Sequence, residues 1–200
     1  MNASYLFKMR ILSMNKKIIL LNGSAAAGKD TFASMISSII PSMSYSSVQY
    51  VKEAAKVLGW DGVTKDEKSR KFLSDLKVLA TEYNDHPYKM LCKVINDFLE
   101  DDIHEWLFLH VREPGEIRRL VKVFPEIITV LVENPNVKPV TSNMADAGVN
   151  HYYRYNEKIL NDSDLAQLQK KAEEFVRKYR DEDSRRDDSV ENSGRVAEDY

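Results

Sequence analysis

The sequence predicts an α/β fold on a mostly parallel, five-stranded sheet. Three observations predict it. Strand-like segments at 17–22, 45–50, 105–111, 127–133 and 152–160 alternate with stretches of helical spacing. The first run, Lys17–Asn22, is apolar at almost every position, which suits a strand covered on both faces. A glycine-bounded turn follows it and opens directly into a helix. Alternating strands and helices indicate parallel pairing, because each return to the sheet needs a crossover.

The elements follow in order. From Asp30 to Ile40, Phe32, Met35, Ile36 and Ile39 recur at helical spacing, and Pro41 stops the run. Tyr45–Tyr50 reads as the second strand, and Val51–Leu58 as a helix ended by Gly59. Past the 59–64 loop, Lys65–Tyr83 reads as a long helix with Phe72, Leu76, Leu79 and Tyr83 as its apolar stripe. Tyr88–Glu100 presents Leu91, Ile95 and Phe98, with Cys92 beside that face as a core thiol. Glu105–Val111 reads as a strand, Pro114–Phe124 as a helix and Ile127–Glu133 as a strand. A loop, 134–150, separates these from a last strand, Tyr152–Leu160. Asp164–Tyr179 is the final amphipathic helix, with Asp162 or Ser163 as its cap. No internal repeat is visible.

Composition bounds the function. The chain has 200 residues, 43% hydrophobic and 30% charged, which suits one domain with a real core. No run approaches the roughly 18 apolar residues of a membrane span. A single cysteine excludes an internal disulfide framework and a cysteine-rich zinc site. That cysteine count, with no export signal, points to the cytoplasm. The formal net charge is −2, but it is uneven. Residues 181–200 hold eight acidic and three basic side chains, a net −5, which leaves +3 on residues 1–180. So few apolar groups in that acidic tail predict disorder from 181 onward. A body at +3 is too weakly basic for a nucleic-acid groove, and no basic, aromatic-interleaved stretch supports one. Residues 1–15 are an N-terminal extension: either sequence upstream of a start at Met14, or an edge strand or loose arm.

The chemistry lies in Gly23-Ser24-Ala25-Ala26-Ala27-Gly28-Lys29-Asp30-Thr31, a match to G-x-x-x-x-G-K. It follows a strand and opens a helix, as a phosphate-binding loop must. Glycines let successive backbone N–H groups turn inward as an anion nest, and the helix start adds partial positive charge. Lys29 supplies a point charge for terminal phosphates, and Thr31 offers a hydroxyl. Asp30 stands where Ser or Thr commonly follows the lysine. Its carboxylate suits either a Mg²⁺ ion held through water or the electropositive helix start itself.

The string Gly28-Lys29-Asp30-Thr31 resembles the nucleoside monophosphate kinase group of P-loop proteins. It is most similar to the (deoxy)nucleoside monophosphate kinases of phages and bacteria, and to the P-loop phosphomevalonate kinases of the same fold. Asp66–Lys77 is similar to their acceptor-side helix, and Trp106–Ile117 to their central strand and the turn after it. Asn143–Asp146, Tyr153–Tyr155 and Ile159–Asp162 resemble their closing strand and helix. The resemblance spans about residues 16–180. It implies a three-layer α/β/α P-loop domain with a helical acceptor-binding insertion at about 50–102 and a short lid at about 134–150. It implies ATP and Mg²⁺ as cofactors, and a small phosphorylated acceptor as the partner. The chain is then a monomer or homodimer with no nucleic-acid or membrane partner.

On that reading ATP sits on Gly23–Thr31, and Lys29 and Arg112 screen the transferred phosphoryl group. Arg112 follows the strand end where ligands bind in open α/β sheets. Arg70 is counted with them as catalytic. Lys52, Arg70, Lys71 and Arg112 hold the acceptor, although Lys52 and Arg70 also suit an ordinary solvated helix face. Asp146 either positions a lid arginine or caps a turn. Two departures from the family stand out. His110 replaces an acidic residue, and is either a sheet-edge residue or a member of the site. The lid carries only Lys138 as a cation, which Arg112, Arg118 and Arg119 are placed to offset. A phosphomevalonate-type acceptor and a non-catalytic ATP-binding module are the competing readings.

Overall fold

The structure is a computed structural model and describes residues 16–64, 66–137 and 153–194. Its elements are β1 (Lys17–Asn22), α1 (Lys29–Ser37), β2 (Ser42–Ser46), α2 (Gln49–Val57), α3 (Glu67–Asn84), α4 (His86–Glu100), β3 (Trp106–His110), α5 (Pro114–Val123), β4 (Ile128–Glu133), β5 (Glu157–Leu160) and α6 (Leu165–Gly194). The five strands form one sheet in the order β2-β3-β1-β4-β5, and every pairing is parallel.

Three layers follow from the pleat of β1. Ile18 and Leu20 point to one face, where Leu91, Ile95 and Phe98 of α4 and Ile117 and Leu120 of α5 cover them. Ile19 and Leu21 point to the other, against Phe32 and Ile36 of α1 and Leu168, Ala172 and Phe175 of α6. All four β1 side chains are within 1% of complete burial, each contributing roughly 1.5–3 kcal/mol. Cys92 packs partly buried against the first face, as expected of a core thiol.

The chain turns both ways from β1. Through α1 it reaches β2 beyond β3, and later it returns to β4 on β1's other side. The reversal leaves a crevice at the carboxyl end of β1, where open α/β sheets bind ligands.

Several elements differ from expectation. β2 begins at Ser42 rather than Tyr45, because the Pro41 carbonyl already accepts from the N–H groups of Glu105 and Trp106. Tyr50 consequently lies in the first turn of α2. β5 is shortened to Glu157–Leu160, since the Asn156 side chain takes over pairing before it, accepting from the N–H and hydroxyl of Thr129. The cap of α6 is Asp164, whose carboxylate accepts from the Gln167 N–H at 2.9 Å, rather than Asp162 or Ser163. The apolar stripe of α3 is not a core face. Leu79 and Tyr83 are 62% and 87% exposed, and no α3 residue is buried, because α3 packs on α2 and α4 outside the sheet layers. α6 runs to Gly194, past the expected end of structure at 180; no proline interrupts its hydrogen bonding before that glycine. The 1–15 extension, residues 138–152 of the expected lid and last strand with Lys138 and Asp146, and residues 195–200 lie outside the described residues. Among the described residues no helix is long and apolar enough to cross a membrane.

Candidate functional site

Asn22 ends β1 as a fully buried amide in an otherwise apolar strand. Its Oδ1 accepts from the Gly23 N–H at 2.7 Å, while Nδ2 donates to the Tyr155 hydroxyl at 2.7 Å and to the Arg112 carbonyl at 3.2 Å. One side chain thus ties the start of the loop to the turn after β3 and to the segment before β5.

Both loop glycines are required by geometry. At Gly23 (φ 143°) a Cβ would stand 2.2 Å from the Val132 carbonyl oxygen, so the loop crosses β4 at a distance only glycine permits. At Gly28 (φ 98°) a Cβ would meet the Asn161 amide nitrogen at 2.4 Å. Asn161 in turn donates to the Ala27 carbonyl at 3.0 Å. Ala26 also has a left-handed backbone (φ 61°), and stands exposed at the loop's tip. Ser24 and Ala25 are half-buried, and Ala27 is buried. No side chain caps the start of α1, which leaves its first-turn N–H groups for a bound anion.

The Lys29 ammonium folds over this loop, donating to the carbonyls of Gly23 at 2.8 Å and Ser24 at 2.7 Å. Asp30 projects from the first turn with its side chain 93% exposed, beside exposed Thr31. His110, level with Leu21 at the end of β3, points its Nδ1 at Asp30 Oδ1, 3.3 Å away. Burial holds the imidazole below its ordinary pKa, and the charges of Lys29 and Arg112 push the same way against Asp30. His110 therefore stands beside the first turn of α1, next to Asp30.

The loop, uncapped helix start and Lys29 fit a polyphosphate. For Mg²⁺ the protein's share is small. Among the described residues no three His, Cys, Asp or Glu side chains gather to hold a metal ion, leaving Asp30 as one exposed carboxylate. Mg²⁺ bound chiefly by phosphates and water needs no more than that.

The expected acceptor cations are less gathered. Arg112 is half-buried just past β3, within electrostatic reach of His110. Lys52 on α2 and Arg70 on α3 are exposed. Lys71 is exposed too and paired with Asp75 at 2.6 Å. Arg119, expected to offset a cation-poor lid, is engaged elsewhere among the described residues. It is paired with Asp85 at the start of α4 and lies 3.7 Å over the Tyr88 ring.

A polar cluster that local pattern did not reveal lies beside these residues. Lys77 of α3, with its side chain 12% exposed, reaches Glu113 at 2.7 Å and Glu116 at 3.1 Å across the start of α5. Burial, reinforced by the charge of Glu113, pushes Glu116 up to about 7. Tyr50 is pushed up to about 12, first by burial and then by Glu116 and Tyr45. Seen alone, each is an ordinary polar residue.

The structure is similar to those of a sugar kinase from Janibacter sp. HTCC2649, a shikimate kinase from Aquifex aeolicus and a gluconokinase from Sinorhizobium meliloti. The sugar kinase is 10% identical, with 78% of this chain and 92% of that chain covered and a TM-score of 0.49. The shikimate kinase is 14% identical, covering 80% and 96%, with a TM-score of 0.43. The gluconokinase is 11% identical, covering 80% and 90%, with a TM-score of 0.40. No protein-family model matches the chain, and no curated protein matches it.

Proposed function

We propose that the protein transfers the γ-phosphoryl group of ATP to a small-molecule acceptor. The observation that carries this reading is the loop from Gly23 to Lys29 at the carboxyl end of β1. Its two glycines hold conformations no other residue fits, its helix start is uncapped, and its lysine already spans the loop.

Phosphoryl transfer asks for in-line positioning and neutralised charge, with little covalent chemistry from the protein. The inward N–H groups and the Thr31 hydroxyl receive phosphate oxygens, and Lys29 adds its point charge. Arg112, held through its own carbonyl by Asn22, screens the moving phosphoryl group. Mg²⁺ accompanying ATP supplies further charge neutralisation, with Asp30 as its water-mediated protein contact. No protein nucleophile is needed.

The acceptor implied by the family resemblance, a (deoxy)nucleoside monophosphate, belongs to this proposal. Lys52 and Arg70 are exposed, and Lys71 would have to exchange Asp75 for an incoming phosphate, so this part of the reading assigns the acceptor phosphate to them. A coupled assay of ADP release over nucleoside monophosphates, phosphomevalonate and other small phosphate esters tests it. ADP release that depends on an acceptor and disappears in a folded Lys29→Ala variant is expected. Release with no acceptor dependence across the whole panel would sink the proposal.

A second reading, an ATP-binding module without transfer activity, draws on His110. Its imidazole, held below its ordinary pKa by burial, stands where the kinases that the sequence resembles carry an acid that manages the metal. Tight ATP binding without transfer in that same assay is its signature.

A further inference from the structure

We infer that Tyr45, Tyr50, Lys77, Glu113 and Glu116 form a recognition pocket for a neutral part of the acceptor that presents adjacent N–H or O–H donors. An amino-bearing nucleobase and a vicinal diol both have that chemistry. The inference rests on the phosphotransfer reading only in calling its ligand an acceptor.

Position is the first support. Tyr45 lies in the carboxyl half of β2, Tyr50 in the first turn of α2, and Glu113 and Glu116 at the start of α5, just beyond β3. All are at the sheet edge that carries the Gly23–Lys29 loop, the edge where open α/β sheets bind ligands.

The second support is unmet bonding. The hydroxyl oxygens of Tyr45 and Tyr50 are shut off from solvent and have no hydrogen-bond partner. A buried polar atom without a partner is costly, and native proteins keep few of them without a reason. Tyr50 lies within electrostatic reach of both Tyr45 and Glu116, so the two unmet hydroxyls on neighbouring elements stand beside the Lys77–Glu113–Glu116 cluster, an arrangement a polar ligand would complete.

Charge then selects the ligand. Lys77 is already shared by two carboxylates, so its cation is spent within the cluster. An acceptor phosphate brought here would face Glu113 and Glu116 and be repelled. A group that donates hydrogen bonds is favoured, since carboxylates accept and the tyrosine hydroxyls do either. Arg70 lies seven residues before Lys77 on α3, so it is on nearly the same helical face, about 10 Å away along the axis. α3 thus offers a cation at one end for a phosphate and an acceptor-rich cluster at the other for the neutral part of the same molecule.

Isothermal calorimetry with phosphate-free probes tests this apart from catalysis. The probes are guanosine, adenosine, cytidine, thymidine and ribose, titrated into the full chain and into its Tyr50→Phe and Glu113→Gln variants. At least one probe is expected to bind the unaltered protein and to bind each variant about tenfold more weakly. A nucleoside that binds where ribose does not identifies the base as the recognised part; ribose binding alone identifies the diol. The Tyr50 hydroxyl has no partner in the free protein, so Tyr50→Phe is expected to fold with unreduced stability. A merely structural tyrosine would leave probe affinity unmoved. Equal binding by all three proteins, or no binding of any probe to the unaltered protein, overturns the inference. ATP titrated into the same samples reports on the loop separately. In the unaltered protein, absent probe binding with intact ATP binding defeats this pocket alone, whereas absent ATP binding defeats the phosphotransfer reading.

Discussion

Asn161, in the turn after β5, donates its side-chain N–H to the Ala27 carbonyl of the Gly23–Lys29 loop, 134 residues earlier in the chain, at 3.0 Å. Its own backbone N–H is held by the Glu133 carbonyl at the end of β4, at 2.7 Å. The loop is therefore clamped from the sheet's far side, and the same amide fills the space a side chain at position 28 would need. Asn161→Ala frees the loop without altering its sequence. It is expected to lower stability by about 1–2 kcal/mol, the range for losing one partly buried hydrogen bond, and to weaken ATP binding. Urea unfolding and an ATP titration check this, and unchanged values in both would show that Asn161 holds nothing.

Ala26 bears a strain its neighbours avoid. Its φ of 61° places a Cβ in the left-handed region, where glycine is at ease and alanine is not. The residue is exposed, so removing its methyl leaves no cavity. Ala26→Gly is expected to raise stability by roughly 0.5–1 kcal/mol, after the greater freedom of glycine in the unfolded chain is offset. Thermal or urea unfolding decides the sign. A less stable variant would mean that the loop relaxes from this conformation.

The phosphate loop and the central strands are legible in sequence because their signals are local. Lys17–Asn22 must be apolar to lie between two layers, and the glycines of the loop must sit at fixed offsets before Lys29. β2 is less legible because it is a serine-rich strand, half-buried except at exposed Ser44 and without alternation. The stripe of α3 misleads because apolar spacing reports a helix, not whether a layer lies against it. The links that complete the site are long-range. Asn22 meets Tyr155 across 133 residues and Lys77 meets Glu116 across 39, and no local pattern encodes such pairs. The one available sign was an amide closing an apolar strand, at Asn22.

Glu116 makes stability depend on pH in an unusual direction. Burial and Glu113 raise it from 4.5 to about 7, while Lys77 acts in opposition. Between those two values the folded state holds a proton that the unfolded state has released. Stability supplied by this group therefore falls as pH rises through that window. His110, whose folded pKa is lowered, acts in the opposite sense, so a comparison of variants is cleaner than one profile. Glu116→Gln removes the titration and is expected to gain stability relative to the unaltered protein between about pH 5 and about pH 8. Parallel unfolding profiles for the two proteins across that range would place Glu116 at an ordinary carboxylate pKa.

Lys16 precedes β1 and is 1% exposed, an unusual burial for an ammonium group. Its Nζ donates to the carbonyls of Phe98 at 2.5 Å, Asp101, and His104 at 3.3 Å, and lies 4.3 Å from the Phe98 ring centroid. Those carbonyls belong to the last turn of α4 and the chain just beyond it, at the negative end of the helix dipole. The lysine therefore supplies the donors that the end of α4 lacks, and ties α4 to the sheet. Lys16→Met keeps the apolar stem but removes the charge and its donors. The expected loss is about 2–4 kcal/mol, because three carbonyls lose a charged donor at once. ATP affinity is expected to hold wherever the variant remains folded, since Lys16 precedes β1 and the Gly23–Lys29 loop follows its opposite end. Urea unfolding with a parallel ATP titration separates the two quantities. A Met variant as stable as the unaltered protein would mean that water satisfies those carbonyls equally well.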